Sequence, residues 1–141
     1  MTFSDFPLSE TVRDASGHPV EFEISAFTTP VDGLISIDAL ETDSDINHWS
    51  FSVLHYVGAE PLSHALVRLR RKMERRMSTR HFNVINGSYV LTHGVAVGDV
   101  DSGGVMIDGA FVPMDRLMEM IQSHEGFQFR IEFVDSTDDF S

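Results

Sequence analysis

The sequence predicts an α+β fold, in which an antiparallel or mixed sheet of about six to seven strands carries two helices packed on one face. Three observations support this prediction: stretches with a period of two, two stretches with a helical period of three to four, and turn-forming dipeptides between them. The predicted order is βββ-α-βββ-α-β. No Gly-rich phosphate loop follows a strand, which disfavours the doubly wound nucleotide-binding folds.

The chain length bounds the number of domains. The 141 residues fall within the usual range of one domain, and two independent cores of this total length would each be marginal. We therefore expect a single α+β domain over residues 21–134. We expect an irregular lead-in at residues 1–20 before this domain. An acidic tail at residues 135–141 follows the domain and is expected to fray.

Alternating apolar and polar residues predict the first three strands. The alternation covers residues 21–26, 35–39 and 49–53. A turn ending at Gly33 separates the first two stretches, and an acidic loop at residues 41–45 separates the second from the third. The three strands are expected to form a meander.

Residues 61–79 are predicted to form a long amphipathic helix. Apolar residues recur there every three or four positions on one face, and basic residues occupy the others. Pro61 suits the first helical position, because its fixed φ is helical and its missing N–H would have no partner there. The basic second half complements the helix dipole.

Asn86-Gly87 is the clearest local signal in the chain. A type I′ turn needs positive φ at both central positions, so this dipeptide predicts a hairpin between residues 81–85 and 88–97. After a second turn, a short strand is expected at residues 105–107. These strands form the second group of three.

The last helix and strand follow a tight turn at Asp108-Gly109. The helix is expected to open at Pro113 and to end at Gly126, where a left-handed conformation costs little. Apolar and polar residues then alternate strictly over residues 127–133, the strongest strand pattern in the chain. This strand is expected to bury its four large side chains against the apolar face of the first helix.

Several of these stretches resemble an uncharacterised bacterial domain of unknown function. The resemblance is carried by Phe51-Ser52-Val53-Leu54, the apolar face of the first helix, Ile107-Asp108-Gly109 and residues 124–133. It covers about residues 20–134. It implies a fold, and it brings no activity, cofactor or functional residue.

Charge is distributed unevenly along the chain. The net charge is −12, yet seven of the ten Lys and Arg residues lie between Arg68 and Arg80. Most of the surface would repel phosphate backbones, which disfavours nucleic acid as a partner. No stretch approaches the roughly 18 to 20 apolar residues of a membrane span, and the N-terminus lacks the pattern of a secretory signal. With no Cys in the chain, we expect a soluble, cytoplasmic protein.

Two charged clusters are the candidate interaction sites. A basic helical face has three possible roles. It is a solvated outer surface, it docks on an acidic partner or on another copy of the chain, or it binds an anionic membrane or nucleic acid. The absence of interleaved aromatic residues weakens the nucleic-acid alternative. The candidate interaction face consists of Arg68, Arg71, Lys72, Arg75 and Arg76. The candidate acidic surface consists of Glu41, Asp43, Asp45, Asp99 and Asp101.

Motifs for catalysis and metal binding are absent from the sequence. The seven His residues include no pair at i, i+4, and the turn at residues 99–104 lacks the oxygen ligands of a calcium loop at its later positions. No Gly-x-Ser-x-Gly elbow occurs. The sequence therefore predicts no catalytic residue, metal or cofactor, although a spatial cluster of His and acids stays open.

The sequence favours a non-catalytic protein-interaction module that associates with a protein partner or with itself. Two alternatives stay open. One is an acidic inhibitor or immunity-type protein that masks a basic surface, and the other is an enzyme with a histidine/carboxylate site.

Overall fold

The fold is described from a computed structural model, which covers residues 2–42 and 48–140. Over these ranges two α-helices and nine strands form three antiparallel sheets of four, two and three strands. The elements are a 3-10 helix at Phe3–Asp5, β1 at Leu8–Arg13, β2 at Pro19–Thr28, β3 at Leu34–Glu41, β4 at Ser50–Tyr56, α1 at Leu62–Met77, β5 at Phe82–Ile85, β6 at Ser88–Leu91, β7 at Gly98–Asp101, β8 at Gly104–Ile107, β9 at Ala110–Pro113 and α2 at Met114–Gln122.

The α+β class is confirmed, whereas the single sheet of six to seven strands and its order of elements are wrong. The first sheet is a meander of β1 to β4 with every neighbouring pair antiparallel. Its first strand lies in the segment that the sequence predicts to be irregular. The alternation is hidden in β1, because the position between Leu8 and Val12 is Glu10, which pairs with Arg70 of α1 instead of being apolar.

The main core lies between the first sheet and α1. Leu69 and Met73 of α1 are fully buried, as are Ile37 and Ala39 of β3. Helical spacing places Leu69 and Met73 on one face of α1. The pleat of β3 places Ile37 and Ala39 on one face of the sheet, and these two faces form the core. The apolar face of α1 is therefore already covered by β1 to β4.

The second half of the chain has a separate, smaller core. Its buried members are Phe82, Ile107, Val112 and Met120, contributed by β5, β8, β9 and α2. The predicted hairpin is confirmed, since β5 pairs with β6 and Asn86 and Gly87 both have positive φ. The tight turn before the second helix is likewise present, between β8 and β9.

Residues 127–134 form no strand, so the most strongly predicted strand is wrong. We refer to these residues as the C-terminal segment. Its apolar side chains are exposed, with Phe129 at 85%. The physical reason is that the first sheet occupies the face of α1 that was expected to cover it.

Residues 135–140, the acidic tail, are attached to α1 rather than frayed. Lys72 donates to two tail carbonyls, and Arg75 and Arg76 both pair with Asp139. A local turn adds to this order, because the backbone N–H of Asp138 donates to the carbonyl of Asp135 at 2.9 Å. The tail therefore lies along the C-terminal half of α1.

Candidate functional site

A cavity of about 490 Å³ opens between the two halves of the protein. β4 and α1 line one side, while β7, β8, α2 and the C-terminal segment line the other. Apolar side chains such as Ile107, Leu117 and Ile121 contribute to its wall, and Lys72 and Arg76 bring positive charge to it. A concave apolar surface with a few charged groups is the usual form of a binding site.

Lys72 is the most buried charged group beside this cavity, at 6% exposure. Its Nζ donates to the carbonyl of Ser52 at 2.9 Å, to that of Ser136 at 2.9 Å and to that of Asp138 at 2.6 Å. Burial lowers the pKa of Lys72, and the neighbouring carboxylate of Asp139 opposes this effect. Because all three N–H donors are used, the side chain joins β4, α1 and the tail as an ammonium group.

The other residues of the predicted basic face are also engaged within the chain, with one exception. Arg68 pairs with Glu60, and its hydrogen bond is the main cause that holds the pKa of Glu60 below its ordinary value. Arg75 and Arg76 pair with Asp139, the latter at 3.6 Å.

Arg71 is the exception in this basic face. It is exposed and forms no ion pair or hydrogen bond with the described residues. The structure thus brings the basic residues together, but acidic residues of the same chain form ion pairs with most of the arginines. The acidic partner of this helix is, in the main, the tail itself.

The candidate acidic surface is only partly described. Asp43 and Asp45 lie outside the described residues, and Glu41 ends β3. Asp99 and Asp101 lie on β7, where both are exposed. Two residues apart on one strand, they project to the same face.

Three histidine–carboxylate pairs form among the described residues, and in two of them the histidine is buried. His81 Nδ1 lies 2.7 Å from Asp108 Oδ1, and the other carboxylate oxygen accepts the backbone N–H groups of His81 and Phe82 at 2.7 and 3.1 Å. His55 Nδ1 lies 3.4 Å from Glu60. Within residues 2–42 and 48–140, no three such side chains form a group that could hold a metal ion.

Asp108 therefore attaches the start of β5 to the turn between β8 and β9. Sequence reasoning missed this pair, because the partners are 27 positions apart and neither lies in a motif. Both side chains are nearly buried, at 10% exposure. Among the described residues, the Asp108 carboxylate hydrogen-bonds to His81 and Phe82, which gives it a positioning role in the second core.

The C-terminal segment is the largest exposed apolar feature beside the cavity. Phe127, Phe129, Ile131 and Phe133 are 73%, 85%, 63% and 75% exposed. Ile131 and Phe133 line the same cavity as Ile121 of α2, which is itself half exposed. We call the exposed side chains of this segment and of α2 the C-terminal apolar surface; α2 contributes Met114, Met118 and Ile121.

The backbone of this segment is unpaired as well. The N–H of Phe127 donates to the carbonyl of His124 at 2.9 Å, but no backbone group of residues 128–134 hydrogen-bonds to a described residue. Arg130 and Glu132 approach each other to 3.9 Å. In an extended conformation, the alternating sequence of the segment would place its charged and its large apolar side chains on opposite sides.

The described part of the chain is an α+β protein with two cores and an exposed apolar C-terminal segment. Residues 81–138 match a family model described as a domain of unknown function (DUF7713). This confirms the resemblance to a domain of unknown function, over a shorter range than about residues 20–134. The match begins just after α1 and includes the second core and the C-terminal segment.

Other comparisons add no relative. No curated protein and no solved structure gives a significant match to the chain. Among the described residues, neither helix is long and apolar enough to cross a membrane.

Proposed function

We propose that this protein is a non-catalytic protein-interaction module and that it associates through the C-terminal apolar surface. The observation that carries the proposal is the exposure of Phe127, Phe129, Ile131 and Phe133 on a stretch where the backbone of residues 128–134 forms no hydrogen bond with the described residues. Large contiguous apolar patches are uncommon on monomeric proteins and mark interaction sites. An unpaired strand-like stretch also provides a row of free N–H and C=O groups to a partner.

The basic face of α1 supports this proposal less well. An acidic partner would have to displace Asp139 from Arg75 and Arg76 before it could bind there. Such an exchange replaces one carboxylate with another, so the net gain in free energy is small. Of this face, Arg71 is the one residue that forms no ion pair with the described residues.

The free edge of β4 is protected from strand addition within the chain. Arg68 donates to the carbonyl of Leu54 at 3.0 Å, and Lys72 donates to that of Ser52. β4 is an edge strand of the first sheet, and cationic side chains on such an edge discourage pairing. A C-terminal segment that approached this edge would find those acceptors occupied, which supports a partner outside the chain.

Site-specific photocrosslinking tests the proposed function. We place benzoylphenylalanine at Phe129 and, as a matched control, at Phe27, an exposed Phe of β2. Irradiation of the protein in its native cells should give protein adducts at position 129 in excess of those at position 27. The adduct should be lost when Phe133→Ser reduces the apolar surface beside it. Equal yields at the two positions would refute the proposed surface.

A further inference from the structure

We propose that the partner on this surface is a second copy of the chain. Residues 128–134 of the two copies would pair as antiparallel strands about a two-fold axis that passes through Ile131. This inference rests on the proposed function and gives it a partner. A two-fold axis is the commonest symmetry of protein dimers, and it requires a surface complementary to itself.

The sequence of the segment is self-complementary in one register. With Ile131 opposite its own copy, Arg130 lies opposite Glu132 twice, and Phe129 lies opposite Phe133 twice. Side chains directly opposite in an antiparallel pair share a face, so the aromatic and aliphatic groups meet on one face and the ion pairs on the other. The two intrachain contacts of 3.9 Å between Arg130 and Glu132, one in each copy, would be exchanged for two contacts between copies.

Neighbouring registers are disfavoured by charge or by polarity. Centring the axis on Arg130 places two arginines opposite each other, and centring it on Glu132 does the same for two glutamates. Like charges directly opposite destabilise a strand pair. A shift of the pairing by one residue places apolar side chains opposite polar ones. Of the registers compared, the one about Ile131 is the one in which both charged side chains face an opposite charge.

The exposed area is sufficient for a dimer of modest size. At the observed exposures, the four large side chains of one segment offer roughly 600 Å², since an aromatic side chain can bury about 150 to 250 Å². Two copies thus offer at most roughly 1,200 Å², which is the lower end of the range for stable interfaces. Ile121 of α2, about half exposed, lines the same cavity as Ile131 and Phe133 and is available to cover the apolar face of the paired strands.

The charges on this pair provide a direct test by sedimentation of the purified full chain. Arg130→Glu places glutamates opposite glutamates, and Glu132→Arg places arginines opposite arginines. Each variant should dimerise at least about tenfold more weakly than the wild type, because both cross-strand pairs become repulsive. The double variant, and an equimolar mixture of the two single variants, should both recover dimers, because opposite charges again face each other.

The direction of the Glu132→Arg effect separates this model from nonspecific association. That substitution reduces the magnitude of the net charge of −12, so general repulsion between copies would decrease and association would strengthen. The register predicts the opposite. Arg13→Glu and Glu23→Arg are matched controls, since both residues are exposed and lie outside the segment; they should leave dimerisation unchanged. Circular dichroism verifies that each variant is folded.

The possible outcomes separate the two proposals. A wild-type chain that stays monomeric at submillimolar concentration overturns self-pairing, as does a dimer that is insensitive to both single reversals or a mixture that dimerises no better than its components. In any of these cases, crosslinks from position 129 to a different protein would leave the proposed function standing. Absence of those crosslinks together with a monomeric chain would overturn both.

Discussion

Phe129→Ala should have almost no effect on the stability of the monomer. A fully buried Phe contributes about 1.5 to 3 kcal/mol through removal of its surface from water. Phe129 is 85% exposed, so only a small fraction of that, about 0.2 to 0.5 kcal/mol, is lost on truncation. Phe22→Ala is the matched control, because Phe22 is 1% exposed and packs beside Phe51; it should cost about 3 to 5 kcal/mol.

Urea unfolding followed by circular dichroism at micromolar protein concentration measures both values. Low concentration matters because any dimer would add its own stabilisation. A loss above about 1.5 kcal/mol for Phe129→Ala would mean that the C-terminal segment is buried in the monomer, as the alternating sequence predicts. At submillimolar concentration we expect the variant to become measurably less stable than the wild type, since the wild type alone gains from association.

Three further predictions concern the frame around the site. Gly109→Ala should cost about 1 to 3 kcal/mol and shift the emission of Trp49, because φ is +75° and the added Cβ would lie 2.7 Å from the indole Nε1. Lys72→Met should release the acidic tail, measured as faster amide exchange there, because the two tail carbonyls lose their donor. Arg68 holds the pKa of Glu60 below its ordinary value of 4.5. The ion pair of Glu60 and Arg68 therefore stabilises the fold above pH 4.5, and this stabilisation is lost as the pH falls through the lowered pKa. Glu60→Gln should accordingly lower Tm at neutral pH but not in strong acid.

Local signals in the sequence predict the local structure well. Asn86-Gly87 specifies its turn because two consecutive positive φ angles are cheap only for such residues, and the hairpin forms there. The apolar spacing of residues 61–79 predicts α1 and its buried face, including Leu69 and Met73. Each of these signals depends on neighbours in the sequence, so no knowledge of the tertiary fold is required.

The wrong predictions concern which elements of the fold pack against each other. Residues 127–133 have the alternation of a strand, but alternation does not say whether a partner strand is available. The partner expected from sequence, the apolar face of α1, is occupied by the first sheet. That sheet includes β1, in which Glu10 interrupts the alternation of apolar and polar residues. Glu10 forms an ion pair with Arg70 of α1 where an apolar side chain would be expected.

In the candidate site, too, local features are predicted from the sequence and contacts between distant residues are not. Sequence identified the basic cluster, since charge is local, but not that Lys72 and Arg76 would meet the acidic tail more than sixty positions away. The pair of His81 and Asp108 was missed for the same reason. The C-terminal apolar surface was recognised as apolar and assigned to the core, because burial is the usual position of such residues.

Amide hydrogen exchange of residues 128–134 at two protein concentrations tests the central claim most directly. At micromolar concentration these amides have no acceptor in the described chain and should exchange at nearly the rate of an unstructured peptide. At submillimolar concentration we predict protection in this segment, with β2 and β3 unchanged. Equal exchange at both concentrations, whether fast or slow, would contradict the account, because the segment would then either pair with nothing or be paired within the chain.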